Sequence, residues 1–139
     1  MISIQALINL IFRRIMMFDE KFMTVVSKEG VVSIVSCSDG EAHVVNTWNS
    51  YLAFPDENRI LIPAFGMRKT EGKVVKNNNV LLTLGTKEVE GKMGPGTGYL
   101  IKGTAKFLKS GQEFDMMKQR FLWVTRVLEV TVSSVKQTI

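Results

Sequence analysis

Val31-Val32-Ser33-Ile34-Val35-Ser36-Cys37, then Ser38-Asp39-Gly40-Glu41, then Ala42-His43-Val44-Val45-Asn46-Thr47-Trp48-Asn49-Ser50-Tyr51, is the stretch that decides the fold. Branched apolar residues alternate with small ones from Val31 to Cys37, the period of a strand. Ser38 to Glu41 carries turn chemistry, so residues 42–54 read as a returning strand and the pair as a β-hairpin. The returning strand holds six consecutive polar or aromatic side chains, Asn46 to Tyr51. Buried amides and hydroxyls cost free energy unless something bonds to them. Two readings fit the run. It is an edge strand with a polar outer face, or it is a wall for a flat ligand with donors and acceptors around its rim.

Outward from this hairpin the same logic gives further elements. Pro55-Asp56-Glu57-Asn58 is a turn and Arg59-Ile60-Leu61-Ile62-Pro63 a third strand. Residues 69–77 suit a short helix ended by Asn77-Asn78-Asn79, and Val80-Leu81-Leu82-Thr83-Leu84 is a fourth strand. Residues 91–98 read as a glycine-rich hairpin loop, 99–107 as a fifth strand, and 112–123 as a helix with Phe114, Met117 and Phe121 on one stripe. Leu128, Val130 and Val132 alternate with polar residues in a sixth strand. Hairpin-like spacing predicts a mainly β fold, a six-stranded antiparallel barrel with short helical inserts. Ahead of it, Ile4, Leu7, Ile8, Ile11 and Ile15 recur at helical spacing, giving an N-terminal helical extension over residues 1–21 and a barrel domain over 22–139. That segment is too short to span a bilayer, and Arg13-Arg14 follow the apolar run rather than precede it. Met16 and Met17 read as alternative starts.

With 139 residues and 45% hydrophobic content, the chain holds one core and no separate cofactor domain. The net charge of +5 is scattered, which favours a small anion or an acidic partner protein over nucleic acid. One cysteine, Cys37, excludes an internal disulfide, fits a reducing cytoplasm, and reads as a small core hydrophobe. The lone His43 has no partner at metal-ligand spacing, so no metal site is expected.

Gly91-Lys92-Met93-Gly94-Pro95-Gly96-Thr97-Gly98 lacks the Gly-Lys-Ser/Thr ending of a P-loop and the spacing of a dinucleotide fingerprint. Met67-Arg68-Lys69-Thr70 follows a strand and opens a helix, a place where backbone amides, two cations and a hydroxyl can receive a phosphate.

Together, Val45-Asn46-Thr47-Trp48-Asn49-Ser50-Tyr51, Gly66-Met67-x-Lys69-Thr70-Glu71, Gly94-Pro95-Gly96-Thr97-Gly98 and Gln137-Thr138-Ile139 resemble the small bacterial FMN-binding proteins of the FMN-binding split-barrel superfamily, related to pyridoxamine 5'-phosphate oxidase. The resemblance runs from about Phe22 onward. It implies a homodimeric split β-barrel with non-covalent FMN at the subunit interface. By the resemblance, Asn46, Thr47, Trp48 and Asn49 lie against the isoalloxazine, Lys69 and Thr70 hold the phosphate, and Gly66 and Met67 give backbone contacts. The second subunit contributes Trp123 and Ile139, and Glu29 matches an acidic residue near the flavin. Two positions depart from the pattern: Phe65 replaces a glycine and Arg68 a histidine.

The expected function is a small dimeric electron-transfer flavoprotein with a redox partner protein, neither membrane-bound nor nucleic-acid-bound. The alternative is a flavin-dependent oxidoreductase, either an NAD(P)H:flavin reductase or a pyridoxamine 5'-phosphate oxidase-like enzyme. In that case Arg68, Lys92 and Lys102 would form a basic rim for a nucleotide.

Overall fold

In the computed structural model the backbone is described over residues 1–139 and the side chains everywhere except 10–15. Helix α1 (Ile4–Ile15) and the short α2 (Glu20–Val26) precede β1 (Val31–Ser38) and β2 (Glu41–Trp48). A 3-10 turn over Asn49–Tyr51 leads to β3 (Arg59–Ala64), α3 (Arg68–Lys76), β4 (Asn79–Glu90), β5 (Pro95–Leu108), α4 (Gln112–Arg120) and β6 (Arg126–Gln137). The strands form one antiparallel sheet in the order β2-β1-β4-β5-β6-β3. The chain that follows β2 reaches the opposite edge through an isolated bridge between Ala53 and Leu61 of β3. The expected six-stranded antiparallel split barrel is therefore the fold observed.

Strand period decides the inside. Val32 and Ile34, Val80, Leu82 and Leu84, Tyr99 and Ile101, Leu128 and Val130, and Ile60 and Ile62 point inward and are buried. Helix α2 adds Phe22, Val25 and Val26, and α3 adds Val74. Phe22 has ring contacts with Phe18, Phe54 and Tyr99, with centroids between 5.1 and 5.9 Å apart. Burying such a ring contributes roughly 2 to 3 kcal/mol. The carboxylate of Asp19 accepts from the Phe22 amide at 2.9 Å and so starts α2. Outside the barrel, α4 lays Met117 over Leu61, Val124 and Val127 in a second, smaller cluster.

Four local expectations are corrected. The second strand stops at Trp48 rather than at residue 54, because the Asn49 side chain turns inward and a 3-10 turn follows. The fourth and fifth strands are longer than expected, and half of the glycine-rich segment is strand: β5 starts at Pro95, leaving Gly91–Gly94 as the turn. Glycine is needed at position 91 for a close approach, since a Cβ there would lie 1.9 Å from the Gly96 carbonyl oxygen. The helix near residue 112 ends at Arg120, where Phe121 takes an extended backbone. Cys37 is exposed rather than buried, because Val32, Ile34 and Ser36 hold the inward phase of β1 and position 37 falls on the opposite face.

Candidate functional site

The turn from β3 into α3 is fixed from β6. The Thr125 amide donates to the Ala64 carbonyl at 2.9 Å, and the Thr125 hydroxyl donates to the Phe65 carbonyl at 2.8 Å. Arg126, only 4% exposed, donates from Nη2 to the Phe65 carbonyl at 3.0 Å and to the Gly66 carbonyl, and from Nη1 to Glu71 Oε1 at 3.0 Å. Met67 then adopts the left-handed conformation (φ 56, ψ 34) and α3 begins without a side-chain cap. The amides of residues 66–70 find no acceptor among the described residues, the first bonded one being Glu71 to the Met67 carbonyl. A left-handed residue followed by helical ones turns successive amides toward a common point, where an anion is favoured. Lys69 stands exposed beside them, while Thr70 is buried with its hydroxyl unpartnered. A Cβ on Gly66 would meet nothing within 4 Å, so the space over this turn is open. Arg68 points outward, 3.9 Å from Glu71. Phe65 is 66% exposed and has no positive φ, so its side chain fits where the resembling pattern has glycine.

The run from Asn46 to Tyr51 approaches this turn at its Tyr51 end. Ala53 pairs antiparallel with Leu61, so the chain just before it runs back along β3 toward Ala64, whereas α3 packs on the far, Ser38–Glu41 end of the β1–β2 hairpin. The parity of β2 splits the run. Asn46 and Trp48 are exposed, opposite Ser33 and Val31 of β1, whereas Thr47 is buried. Asn46 donates to Ser33 Oγ at 3.1 Å. Asn49 is buried and its Nδ2 donates to the carbonyls of Lys28, Gly85 and Val25 at 3.0, 3.3 and 3.5 Å, leaving Oδ1 unpartnered. Ser50 donates to Glu29 at 3.0 Å, which sets that carboxylate beside the run. Tyr51 packs with Phe121 and Trp123, ring centroids 5.0 and 5.8 Å away. Trp123 thus stands by the same protomer's run.

Ile139 occupies a different place. It lines an open groove of about 770 Å³ with Val31, Gly85, Lys87 and Gly98. Thr138 donates to the Gly98 carbonyl at 2.8 Å, and Lys92 Nζ to the Gln137 carbonyl at 3.0 Å. Trp48 is three strand spacings, roughly 14 Å, from β5, against which Ile139 lies. One protomer therefore places Gly66, Met67, Lys69 and Thr70 in one turn, Trp123 beside Tyr51, Asn46 to Asn49 at the end of β2, and Ile139 against Gly98 of β5. Sequence reasoning missed Thr125 and Arg126, whose one signal is an arginine opening a strand whose next residues, Val127 and Leu128, are apolar.

Displaced pKa values fall outside this region. A hydrogen bond and charge from Lys76 hold Asp39 below the usual carboxylate range, and Asp39 raises Lys76 in return. A hydrogen bond from Arg59 lowers Asp56, while Glu113 and Asp56 raise Arg59. Burial raises Tyr99.

A curled six-stranded antiparallel sheet closed by short helices, with an uncapped helix start after its third strand, defines a split-barrel protein. The chain belongs to the pyridoxamine 5'-phosphate oxidase family, which it matches over residues 18–138. It is 48% identical over 118 residues to the FMN-binding protein of Nitratidesulfovibrio vulgaris (strain Miyazaki F), covering 85% of this chain and 96% of that one. Among solved structures, an FMN-binding protein from Syntrophomonas wolfei superposes with a TM-score of 0.68 at 15% identity, covering 97% of this chain and 93% of that one. A HupZ variant from Group A Streptococcus gives 0.71 at 12% identity, covering 88% and 100%. These structural likenesses describe the fold. No helix among the described residues is long and apolar enough to cross a membrane.

Proposed function

We propose that this protein is a homodimeric FMN-binding flavoprotein that carries electrons to or from a redox partner protein. The observation that carries the reading is the set of acceptor-less amides at 66–70 with the unpartnered Thr70 hydroxyl, in a chain that also ends β2 on the exposed Asn46 and Trp48. The residues present fit the group. Gly66, Met67, Lys69 and Thr70 would hold the phosphate, with Lys69 as a mobile point charge and the amides as fixed donors. Asn46 and Trp48 would line the ring with their side chains and Thr47 with its backbone, and Asn49 would fix that backbone. When bound, FMN supplies the redox chemistry, and the protein contributes orientation and nearby charge such as Glu29.

A dimer is supported by the outward face of the sheet. Val44, Val35 and Leu81 form one row across β2, β1 and β4, and Trp48 and Val31 another, with Val44, Trp48, Val31 and Leu81 exposed. A second copy covering this face would add its own Trp123 and Ile139 to complete the flavin site, each from a separate part of that copy. The 48% identity to a protein named as FMN-binding supports the cofactor. A reducing cytoplasm suits the exposed free thiol of Cys37.

The test is the absorption spectrum of the purified protein with and without NADH or NADPH. Yellow protein whose flavin is reduced reversibly by a mediator but slowly by either nucleotide is the expected result. Rapid bleaching by NAD(P)H would make it an enzyme, and failure to take up added FMN would remove the flavin reading altogether. Lys69→Ala is expected to weaken FMN binding by roughly 1.5 to 3 kcal/mol, the range for a charge-assisted hydrogen bond.

A further inference from the structure

We propose that Arg126 is a positioning residue that gives this site its preference for a phosphorylated flavin, acting on the β3–α3 turn without touching the ligand. The inference rests on the FMN reading above and adds a residue and a specificity to it. Arg126 is a buried cation whose planar fork is used up on three protein acceptors: the Phe65 carbonyl, the Gly66 carbonyl and Glu71. Its guanidinium also lies over the Phe107 ring, 5.1 Å from the centroid. With both Nη atoms committed, it has little left to offer an anion directly.

What it controls is the direction of the backbone. A trans peptide is planar and its C=O and N–H point in opposite directions. Pulling the Phe65 and Gly66 carbonyls toward β6 therefore turns the Gly66 and Met67 amides away from β6. They then continue the row formed by Arg68, Lys69 and Thr70, whose amides also lack acceptors. Thr125 holds the same Phe65 carbonyl from its hydroxyl, so two neighbouring residues of one strand edge clamp the turn. The clamp also keeps Met67, a residue with a Cβ, in the left-handed region that orients the nest. Glu71 would oppose an anion at this helix start. It is engaged instead by Arg126 at 3.0 Å and has Lys109 and Arg68 within 4 Å.

The role separates from simple charge and from simple stability by the choice of variant and ligand. Arg126→Lys keeps the cation but cannot hold two carbonyls and a carboxylate in one plane. Binding of FMN and of riboflavin, which lacks the phosphate, is measured by flavin fluorescence at low and high salt, with inorganic phosphate as a competitor. The expected result is an FMN dissociation constant raised about tenfold to a hundredfold, riboflavin affinity little changed, and phosphate competition weakened. Arg126→Met should fall at least as far.

Wild-type affinity for FMN in Arg126→Lys would mean that charge alone matters and would overturn the proposal. A parallel loss of FMN and riboflavin would reduce Arg126 to a structural residue and overturn it equally. If the Arg126 variants do not fold, Thr125→Val carries the test, because it removes one bond to the Phe65 carbonyl at an exposed position. A smaller loss confined to FMN supports the clamp, and an unchanged FMN-to-riboflavin ratio refutes it. Wild-type protein that binds neither flavin would sink the functional reading itself, an outcome distinct from all of these.

Discussion

Asn49→Ala separates a structural amide from a ligand contact. The Asn49 Nδ2 joins the end of α2 to β4 by donating to the carbonyls of Lys28, Gly85 and Val25. Val25 keeps another donor in the Lys28 amide at 3.1 Å, so truncation strands at most the Lys28 and Gly85 oxygens. Each buried group left without a partner costs about 1 to 3 kcal/mol. Oδ1 has no donor among the described residues, so its removal returns part of that cost. The net expectation is a loss of roughly 2 to 3 kcal/mol in unfolding free energy. Urea denaturation followed by tryptophan fluorescence reads it, with Trp48 next to the changed residue and protomer concentration held fixed because dimerisation shifts apparent stability. Asn49→Asp should cost more. Its carboxyl would face three carbonyl oxygens in a buried place, raising its pKa in the folded state. The variant's deficit is then smallest below the unfolded carboxyl value of about 4, and it grows as pH rises toward the folded value. A loss under about 1 kcal/mol for Asn49→Ala, with FMN affinity collapsing, would refute the clamp and make the amide a flavin ligand.

Gly30→Ala should damage the same junction, since its Cβ would lie 2.2 Å from the Gly85 oxygen and 2.8 Å from Asn49 Nδ2. A loss of about 1 to 3 kcal/mol is expected in the same urea assay. Arg59 lowers the Asp56 pKa, so the stability this pair contributes is complete above the unfolded carboxyl value and is lost as pH falls through the lower folded one. Asp56→Asn should flatten the acid limb of stability only slightly, because the carboxylate is 38% exposed and solvent screens the pair. Val44→Lys, on the exposed outer row, should leave protomer stability within about 0.5 kcal/mol and yield monomers in sedimentation; intact dimers would place the interface elsewhere.

The barrel was legible because its strands carry their facing in a period of two, and branched residues at Val32, Ile34, Leu82 and Ile101 leave no second way to bury them. The same rule misled at Cys37, where an apolar-looking residue falls on the outer phase. Helix α2 was missed because its seven residues are too few for a periodic signal, and its one cue is Asp19 as cap. The turn from Gly66 to Thr70 could be singled out as a candidate phosphate site because a strand, a glycine and two cations at a helix start is a local pattern. Arg126 could not. Its partners are separated from it by 55 to 61 residues in sequence, and only the β3–β6 register brings them together.

The polar run that set the problem proves to be two sets of residues sharing one segment. Strand parity sends Asn46 and Trp48 outward and Thr47 inward, so a ligand on the outer side and a satisfied interior need different side chains at adjacent positions. Asn49 then spends its amide on the Lys28, Gly85 and Val25 carbonyls, which ends the strand and lets the chain turn toward Leu61. An apolar residue at 49 would lose that bond, and the strand end would no longer be tied to α2 and β4. The exposed side chains of 46 and 48 therefore depend on the buried one at 49 for their place, much as the open amides of 66–70 depend on Arg126. In both halves of the site a buried polar group, bonded to main-chain carbonyls, holds an exposed surface in a shape that the surface residues alone would not keep.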